Sequence, residues 1–326
     1  MNCRNSDVKN MNTVASIEIG TNSIRMLIAK KGTSENTLKP ILRKRVITRL
    51  GEDFNKKETG IIKSEPMSRS ISVLRDFFGT ARQFGIPSPI VVATGVVREA
   101  HNRNNFIALI DKRLGHNVRI ISGEEEAELT LRGVLSSLNH RGEPLVIFDL
   151  GGGSTEFIRT NNKEGKPISI KLGAVILTDN YLTADPPRDE EIYKVTKHIK
   201  DTFKARLGYI KGLCKGTFSI VGTGGTVTNL ASMIHGIGET GFNEKLNGLV
   251  IKKKDIELLF TKMKGMSEAE RLNLKGLESG REDIILAGTL MVMKIMDYFD
   301  KDEIITSYSD LLEGLLLHYM EGENNG

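Results

Sequence analysis

The 326-residue chain has no tryptophan, and aromatic residues make up only 6% of it. That argues against a stacking platform for nucleic-acid bases. It has two cysteines, Cys3 and Cys214, the first in a polar N-terminal stretch, and six dispersed histidines. Neither a structural disulfide nor a zinc site with the usual Cys/His spacing is expected. No apolar run approaches the ~18 residues of a membrane span. The opening MNCRNSDVKNMNT has no apolar core for a signal peptide. A reduced, cytoplasmic setting with no membrane partner is the expectation. The net charge of +5 is too small to argue for nucleic acid, and it suits an anionic ligand. Short basic runs such as Arg43–Arg45 and Lys252–Lys254 read as solvated faces.

What is present is an ordinary globular composition, 39% hydrophobic and 27% charged, at a length that suits two domains. VASIEIGTNSIRMLIAK reads as two strands around a tight turn at Gly20–Ser23, with a third strand over 39–50. A helix is expected over 64–84, a buried strand at PIVVATG, a helix over VREAHNRNNFIALIDKRLG and a strand at NVRIIS. GEEEAELTLRGVLSSL opens a helix with acidic residues in its first turn. The order then starts again. PLVIFDLGGGSTEFIRT is a second strand pair around a glycine turn, and KPISIKLGAV a third strand. Helices over 188–206 and 280–299, a strand–turn–helix at TFSIVGTGGTVTNLASMI, a strand over 303–307 and a last helix over 308–320 complete it. IEIGTNSIRMLIA and FDLGGGSTEFIRT align, Glu18 on Asp149, Gly20 on Gly151 and Ser23 on Ser154, 131 positions apart. The match reads as an internal duplication in a mixed α/β protein of two halves.

The glycine turns carry the chemistry. Backbone N–H groups at a turn without Cβ atoms are good anion ligands. Gly151, Gly152 and Gly153 offer such donors, with the Ser154 and Thr155 hydroxyls alongside. A carboxylate beside bound phosphate repels it unless a cation intervenes, so Asp149 reads as a Mg²⁺ ligand, with Glu156 within reach around the hairpin. Glu156 reads equally as a surface strand residue. Gly222, Thr223, Gly224 and Gly225 form a second turn before a helix N-terminus, itself an anion site. In ATGVVREA, Arg98 can grip phosphate with two N–H groups, or can be a plain surface arginine.

IEIGTNSIRMLI, VVATGVVREAHN, IISGEEEAELTLRGV, IFDLGGGSTEF and IVGTGGTVTNLA, in this order, resemble the signature blocks of the exopolyphosphatase/guanosine pentaphosphatase (Ppx/GppA) family. RLG near Leu50, GREDIILAG at 280–288 and EGLL near the C-terminus resemble it too, so the likeness covers nearly the whole chain from Met11. The resemblance implies a duplicated actin-like, sugar-kinase-like (ribonuclease H-like) ATPase fold. The implied domains are 1–123 with the returning helix 309–326, and 124–308, around a central cleft. It implies a phosphohydrolase using Mg²⁺ or another divalent cation to release terminal phosphate from polyphosphate or from guanosine pentaphosphate. Glu126 falls on the family's water-activating base; read bottom-up, Glu124–Glu126 are a dipole-stabilising acidic turn. Asn22, Ser23, Arg25 and Arg98 fall among the phosphate-binding positions, and Glu18 joins the metal candidates where the family usually has Asp. Two further departures are Ile176, where many members carry Arg, and DLLEG for GLREG, which puts Asp310 for Gly and Leu312 for Arg. The C-terminal helical domains of long members are not expected, and a homodimer is compatible with the family. A non-catalytic sensor of polyphosphate or guanosine polyphosphate, motivated by these departures, and a kinase of the same superfold are the alternatives.

Overall fold

The computed structural model describes residues 13–32, 37–54, 60–138, 142–160, 166–238 and 244–324; Cys3 lies outside them. The first half runs β1 (Thr13–Ile19), β2 (Ser23–Lys31), β3 (Leu38–Ile47), α1 (Ser64–Gln83), β4 (Ile90–Ala93), α2 (Gly95–Glu99), α3 (Arg103–Leu114), β5 (Arg119–Ile120) and α4 (Gly123–Ser137). The second begins with β6 (Leu145–Leu150), β7 (Thr155–Arg159), β8 (Ile168–Ile170), α5 (Ala174–Tyr181), α6 (Asp189–Arg206), α7 (Gly208–Leu213), β9 (Ser219–Thr223) and α8 (Gly225–His235). It continues with β10 (Val250–Lys252), α9 (Lys253–Lys264), α10 (Glu268–Arg271), α11 (Ile285–Phe299), β11 (Glu303–Thr306) and α12 (Leu311–Asn324).

Two sheets result, ordered β3-β2-β1-β4-β5 and β10-β11-β9-β6-β7-β8. Read from β8, the second sheet repeats the first, β8-β7-β6-β9-β11 following β3-β2-β1-β4-β5, with β10 added antiparallel at the edge. Within each sheet the leading hairpin is antiparallel and its first strand pairs in parallel with the next, β1 with β4 and β6 with β9. The hairpin turns match bond for bond: Gly20 N donates to Ser23 O and Gly151 N to Ser154 O, each at 3.0 Å. The duplication seen in sequence is therefore a duplication of fold, and the fold is the actin-like α/β one.

The central strands are apolar on both faces, as strands covered on both sides must be. β2 buries its first seven residues, whereas β3, at the edge, buries none fully and exposes Lys39, Ile41, Lys44 and Val46. α1 packs on the first sheet through Met67, Ile71, Leu74, Phe77, Phe78 and Ala81, a three-to-four spacing that gives one apolar stripe. The larger second core joins β6, β7 and β9 to α6, α8, α9 and α11. α12 returns to the first sheet: Leu312 and Leu316 pack on Leu27 and Ala29, while Leu311 and Leu315 pack on Val92, Ile121 and Leu129. Among the described residues no helix is long and apolar enough to cross a membrane.

Some elements differ from the sequence reading. The helix expected across VREAHNRNN breaks at Ala100–Asn102. There the Asn102 side chain accepts from Ile62 N at 3.0 Å and donates to Ile62 O at 2.9 Å, competing with helical bonding. The strand expected through KPISIKLGAV ends at Ile170, and Gly173 opens α5, whose first backbone bonds go to Gly151 O and Gly152 O of the glycine turn. α11 starts at Ile285 rather than at 280, after a turn that serves Arg281. β10, α7, α9 and α10 have no counterpart in the sequence reading.

Candidate active site

Both hairpin tips point into one cleft. Glu18 faces Arg25 across the first hairpin, and Asp149 faces Glu156 across the second. The same hairpin position is thus an arginine in one half and a glutamate in the other. The tips touch: Thr21 Oγ1 accepts from Val96 N at 3.0 Å, and a Cβ on Gly153 would lie 2.6 Å from that oxygen. Behind them a cavity of about 60 Å³ is lined by Glu18, Asn22, Arg25, Glu126, Asp149 and Arg281, with turn backbone from Gly151–Gly153 and Gly224–Gly225. Gly224 has φ +95°, a conformation open only to glycine, and a Cβ there would sit 2.5 Å from Leu150 O and 2.8 Å from Asp149 Oδ1. That glycine lets the α8 N-terminus close against the aspartate.

The three glutamates that open α4 separate by role. Glu124 is exposed and Glu125 pairs with Arg119. Only Glu126, 6% exposed, lines the cavity of the glycine turns, and Arg98 Nη1 donates to its Oε2 at 2.8 Å. Burial, with the Glu156 charge, raises the Glu126 carboxyl well above the usual range against the pull of Arg98. Arg98 is not a plain surface arginine. It also donates to Ile121 O at 3.2 Å and lies 3.9 Å from Glu156 Oε1.

Asp149 and Glu156 are buried and short of positive charge. Burial pushes Asp149 up to about 8, against Arg25 and with Asp310, Glu126 and Glu18 adding to it. Burial and then Asp149 push Glu156 up to about 7. Glu156 is no surface residue. It is 2% exposed; Ser169 donates to its Oε1 at 2.7 Å, and its Oε2 has no hydrogen-bond partner. Such an under-compensated carboxylate pair with an orphaned oxygen fits a hard divalent cation. Among the described residues no three His, Cys, Asp or Glu side chains form a ready-made metal group. Glu18 fits a metal less well: Arg25 occupies its Oε2 and Thr94 Oγ1 donates to its Oε1 at 3.1 Å.

The anion-binding candidates divide as well. Asn22 and Ser23 line the cavity, and Asn22 Nδ2 is a buried donor without a partner, which suits a phosphoryl oxygen. Ser154 reaches the cavity too. Thr155 does not: it is wholly buried and its hydroxyl donates to Leu172 O, holding the link from β8 to α5. Gly222 lies inside β9, where a Cβ would meet the Phe148 ring at 2.6 Å, so core packing accounts for that glycine. Thr223 is also fully buried, its Oγ1 unpartnered beside Asp149 in register.

Sequence reasoning gave no role to Arg281 or Arg45. Arg281 sits over the α8 N-terminus, where a Cβ on Gly225 would lie 2.2 Å from its Nη2, and its Nε donates to Glu278 at 2.6 Å. Arg45 Nη1 donates to the same Glu278 at 2.9 Å. The signal was present in GREDIILAG, but only the fold brings it to the turn. Beside the first cavity, sharing Gly95, Gly153 and Ser154, a second of about 610 Å³ is lined by Arg98, Lys171, Leu172, Ile176 and His198 among others.

Buried carboxylates, arginines and glycine turns between two actin-like halves define a protein built to handle phosphoryl groups. The chain belongs to the Ppx/GppA phosphatase family, whose model matches residues 27–323. It is 29% identical to exopolyphosphatase 2 of Mycobacterium tuberculosis, over 93% of this chain and 97% of that protein. It is 32% identical to a bifunctional 3-dehydroquinate synthase/phosphatase of Fusobacterium nucleatum, covering 95% of this chain but 47% of that one. The crystal structure of the Aquifex aeolicus Ppx/GppA family member superposes with a TM-score of 0.77 at 30% identity, over 96% of this chain and 99% of that one. An exopolyphosphatase from Cytophaga hutchinsonii superposes with a TM-score of 0.83 at 25% identity, over 95% and 98%.

Proposed function

We propose that the protein releases the terminal phosphoryl group of inorganic polyphosphate as orthophosphate, by in-line attack of water. The observation that carries this reading is Glu126, the one glutamate of its triplet that lines the cavity of the glycine turns, its carboxylate held by Arg98. Phosphoryl transfer asks little covalent chemistry of a protein: orient the water, neutralise the equatorial oxygens and hold the leaving chain. Arg98 exchanges Glu126 for phosphoryl oxygens, which frees the carboxylate to accept a proton from water. The water oxygen bonds to phosphorus, the bridging P–O bond breaks, and the shortened chain departs with that electron pair. Asn22 Nδ2 and the glycine-turn amides orient the terminal group. Asp149 and Glu156 would hold a divalent cation, Mg²⁺ in this reading, which neutralises phosphoryl charge when bound.

Guanosine pentaphosphate as substrate is the second reading. It is favoured by the adjoining cavity of about 610 Å³, roomy enough for a nucleoside and partly apolar at Leu172 and Ile176. The test is phosphate release from tripolyphosphate, long-chain polyphosphate and pppGpp, with and without Mg²⁺, by the wild type and Glu126→Gln. Release that depends on Glu126 establishes the hydrolase, and the ranking of substrates chooses between the two readings. Tight binding without release from any of them makes the protein a sensor and ends the hydrolase reading.

A further inference from the structure

Arg25 is placed to meet an anionic ligand, because its guanidinium lines the same cavity as Asp149 and the glycine turns. Two carboxylates already hold it. Glu18, its cross-strand partner, takes Nε and Nη2, and Asp310, two positions before Leu312 on the way into α12, takes Nη1. Glu18 and Asp310 are 7% and 3% exposed, so water screens neither. Asp310 comes from 285 positions away in sequence, and only the return of the last helix brings it here. Its other oxygen is engaged as well: Leu312 N donates to Oδ1 at 3.1 Å, and Arg43 Nη1 lies 3.9 Å off. A guanidinium compensated by two buried carboxylates offers an incoming anion little net charge.

We propose that Asp310 sets the affinity of the cleft for phosphate chains: its negative charge holds Arg25 and weakens the grip of that arginine on the ligand. It acts through Arg25 and touches no reacting atom, so it is a positioning residue. The inference rests on the reading of this cleft as a phosphate-chain site. A weaker grip favours departure of orthophosphate after each cleavage, and it selects chains that bring their own cation over bare polyanions.

The direct test uses Asp310→Asn, which keeps an oxygen for Leu312 N, removes the negative charge and turns an NH2 in place of an acceptor toward Arg25. Titration calorimetry with Mg²⁺–tripolyphosphate and steady-state phosphate release are measured on the wild type, Asp310→Asn, Arg25→Gln and the double variant. In Asp310→Asn both Kd and KM are expected to fall about tenfold, with kcat changing far less, as removal of one buried charge near a polyanion predicts. In the Arg25→Gln background the same substitution gains nothing. Unchanged or weaker binding by Asp310→Asn overturns the proposal and leaves Asp310 a scaffold residue; so does a gain that persists without Arg25. If Asp310→Asn melts well below the wild type, Asp310→Ser, which also offers a capping oxygen, replaces it. Wild-type binding without phosphate release ends the hydrolase reading but leaves the Kd comparison decisive. Absence of tripolyphosphate binding in both wild type and Asp310→Asn overturns both.

Discussion

At the scale of single residues the cleft holds more negative charge than its arginines balance, and that has measurable consequences. Asp149 and Glu156 have raised pKa values in the folded chain, about 8 and about 7. Between the ordinary carboxylate range of about 4 and those values, the folded state binds protons that the unfolded state has released. Stability without metal therefore falls as pH rises through that window. The Tm in chelator is expected to be lower at pH 8.5 than at pH 6, and Mg²⁺ or Mn²⁺ at pH 8.5 to restore it. A flat Tm across this range would contradict the charge excess. Glu126→Gln keeps the shape and the hydrogen bond to Arg98 but cannot accept a proton. Phosphate release is expected to drop by ~10²–10⁴, the worth of a positioned base, while tripolyphosphate still binds in calorimetry.

The elements that place these residues depend on close backbone approach. α4, which carries Glu126, packs on α12 through a pair of glycines. A Cβ on Gly133 would lie 1.8 Å from Asp310 O, and one on Gly314 would lie 1.8 Å from Leu129 O. Either alanine substitution forces the helices apart, and overpacking of this kind costs about 1–3 kcal/mol. Gly314→Ala is expected to lower Tm by several degrees in a thermal melt and, by shifting α4, to lower kcat as well. A variant with wild-type Tm would mean that the helices slide freely. The acidic opening of α4 was legible in the sequence; its cap was not, because Ser122, which accepts from Glu125 N at 3.1 Å, reads as the end of the strand NVRIIS. The glycine pair was not, because neither member is informative without the other.

For the whole molecule, Arg45 of β3 and Arg49 beyond it tie the first half to the segment 278–283. Arg45 donates to Glu278 at 2.9 Å, and Arg49, just past the strand, reaches Asp283 at 2.8 Å. We propose that this clasp restrains the cleft and that the halves 1–123 with 309–326 and 124–308 open by hinging. Burial opposes the Glu278 charge, but Arg45 and Arg281 bring its carboxyl down to about 2. Its stabilising contribution is thus present above about pH 4.5 and is lost only as pH falls toward 2. Glu278→Gln is expected to raise the radius of gyration in small-angle scattering at neutral pH and low salt, and high salt to do the same for the wild type, since partly exposed pairs are screened. No change in either case would place the restraint elsewhere, in the contact of Thr21 with the Gly151–Gly153 turn.

The sequence alone determined the duplicated α/β fold and the glycine turns, because these rest on local patterns: alternation, turn chemistry and a repeated acid-x-Gly motif. Glu126 was singled out by the family resemblance, since by pattern its triplet is only an acidic first turn. The sequence left Glu156 and Arg98 open between surface and cleft, since a strand residue or a helix-start arginine looks the same in sequence whichever way it faces. It assigned Thr155 and Gly222 to the ligand, whereas hydrogen bonding to Leu172 and packing on Phe148 account for them. The compensation of Arg25 by Asp310, and the seat of Arg281 over the α8 N-terminus, were decided only by tertiary structure. Each joins residues far apart in the chain, and an electrostatic balance in a buried cleft is a sum over neighbours that no stretch of sequence contains.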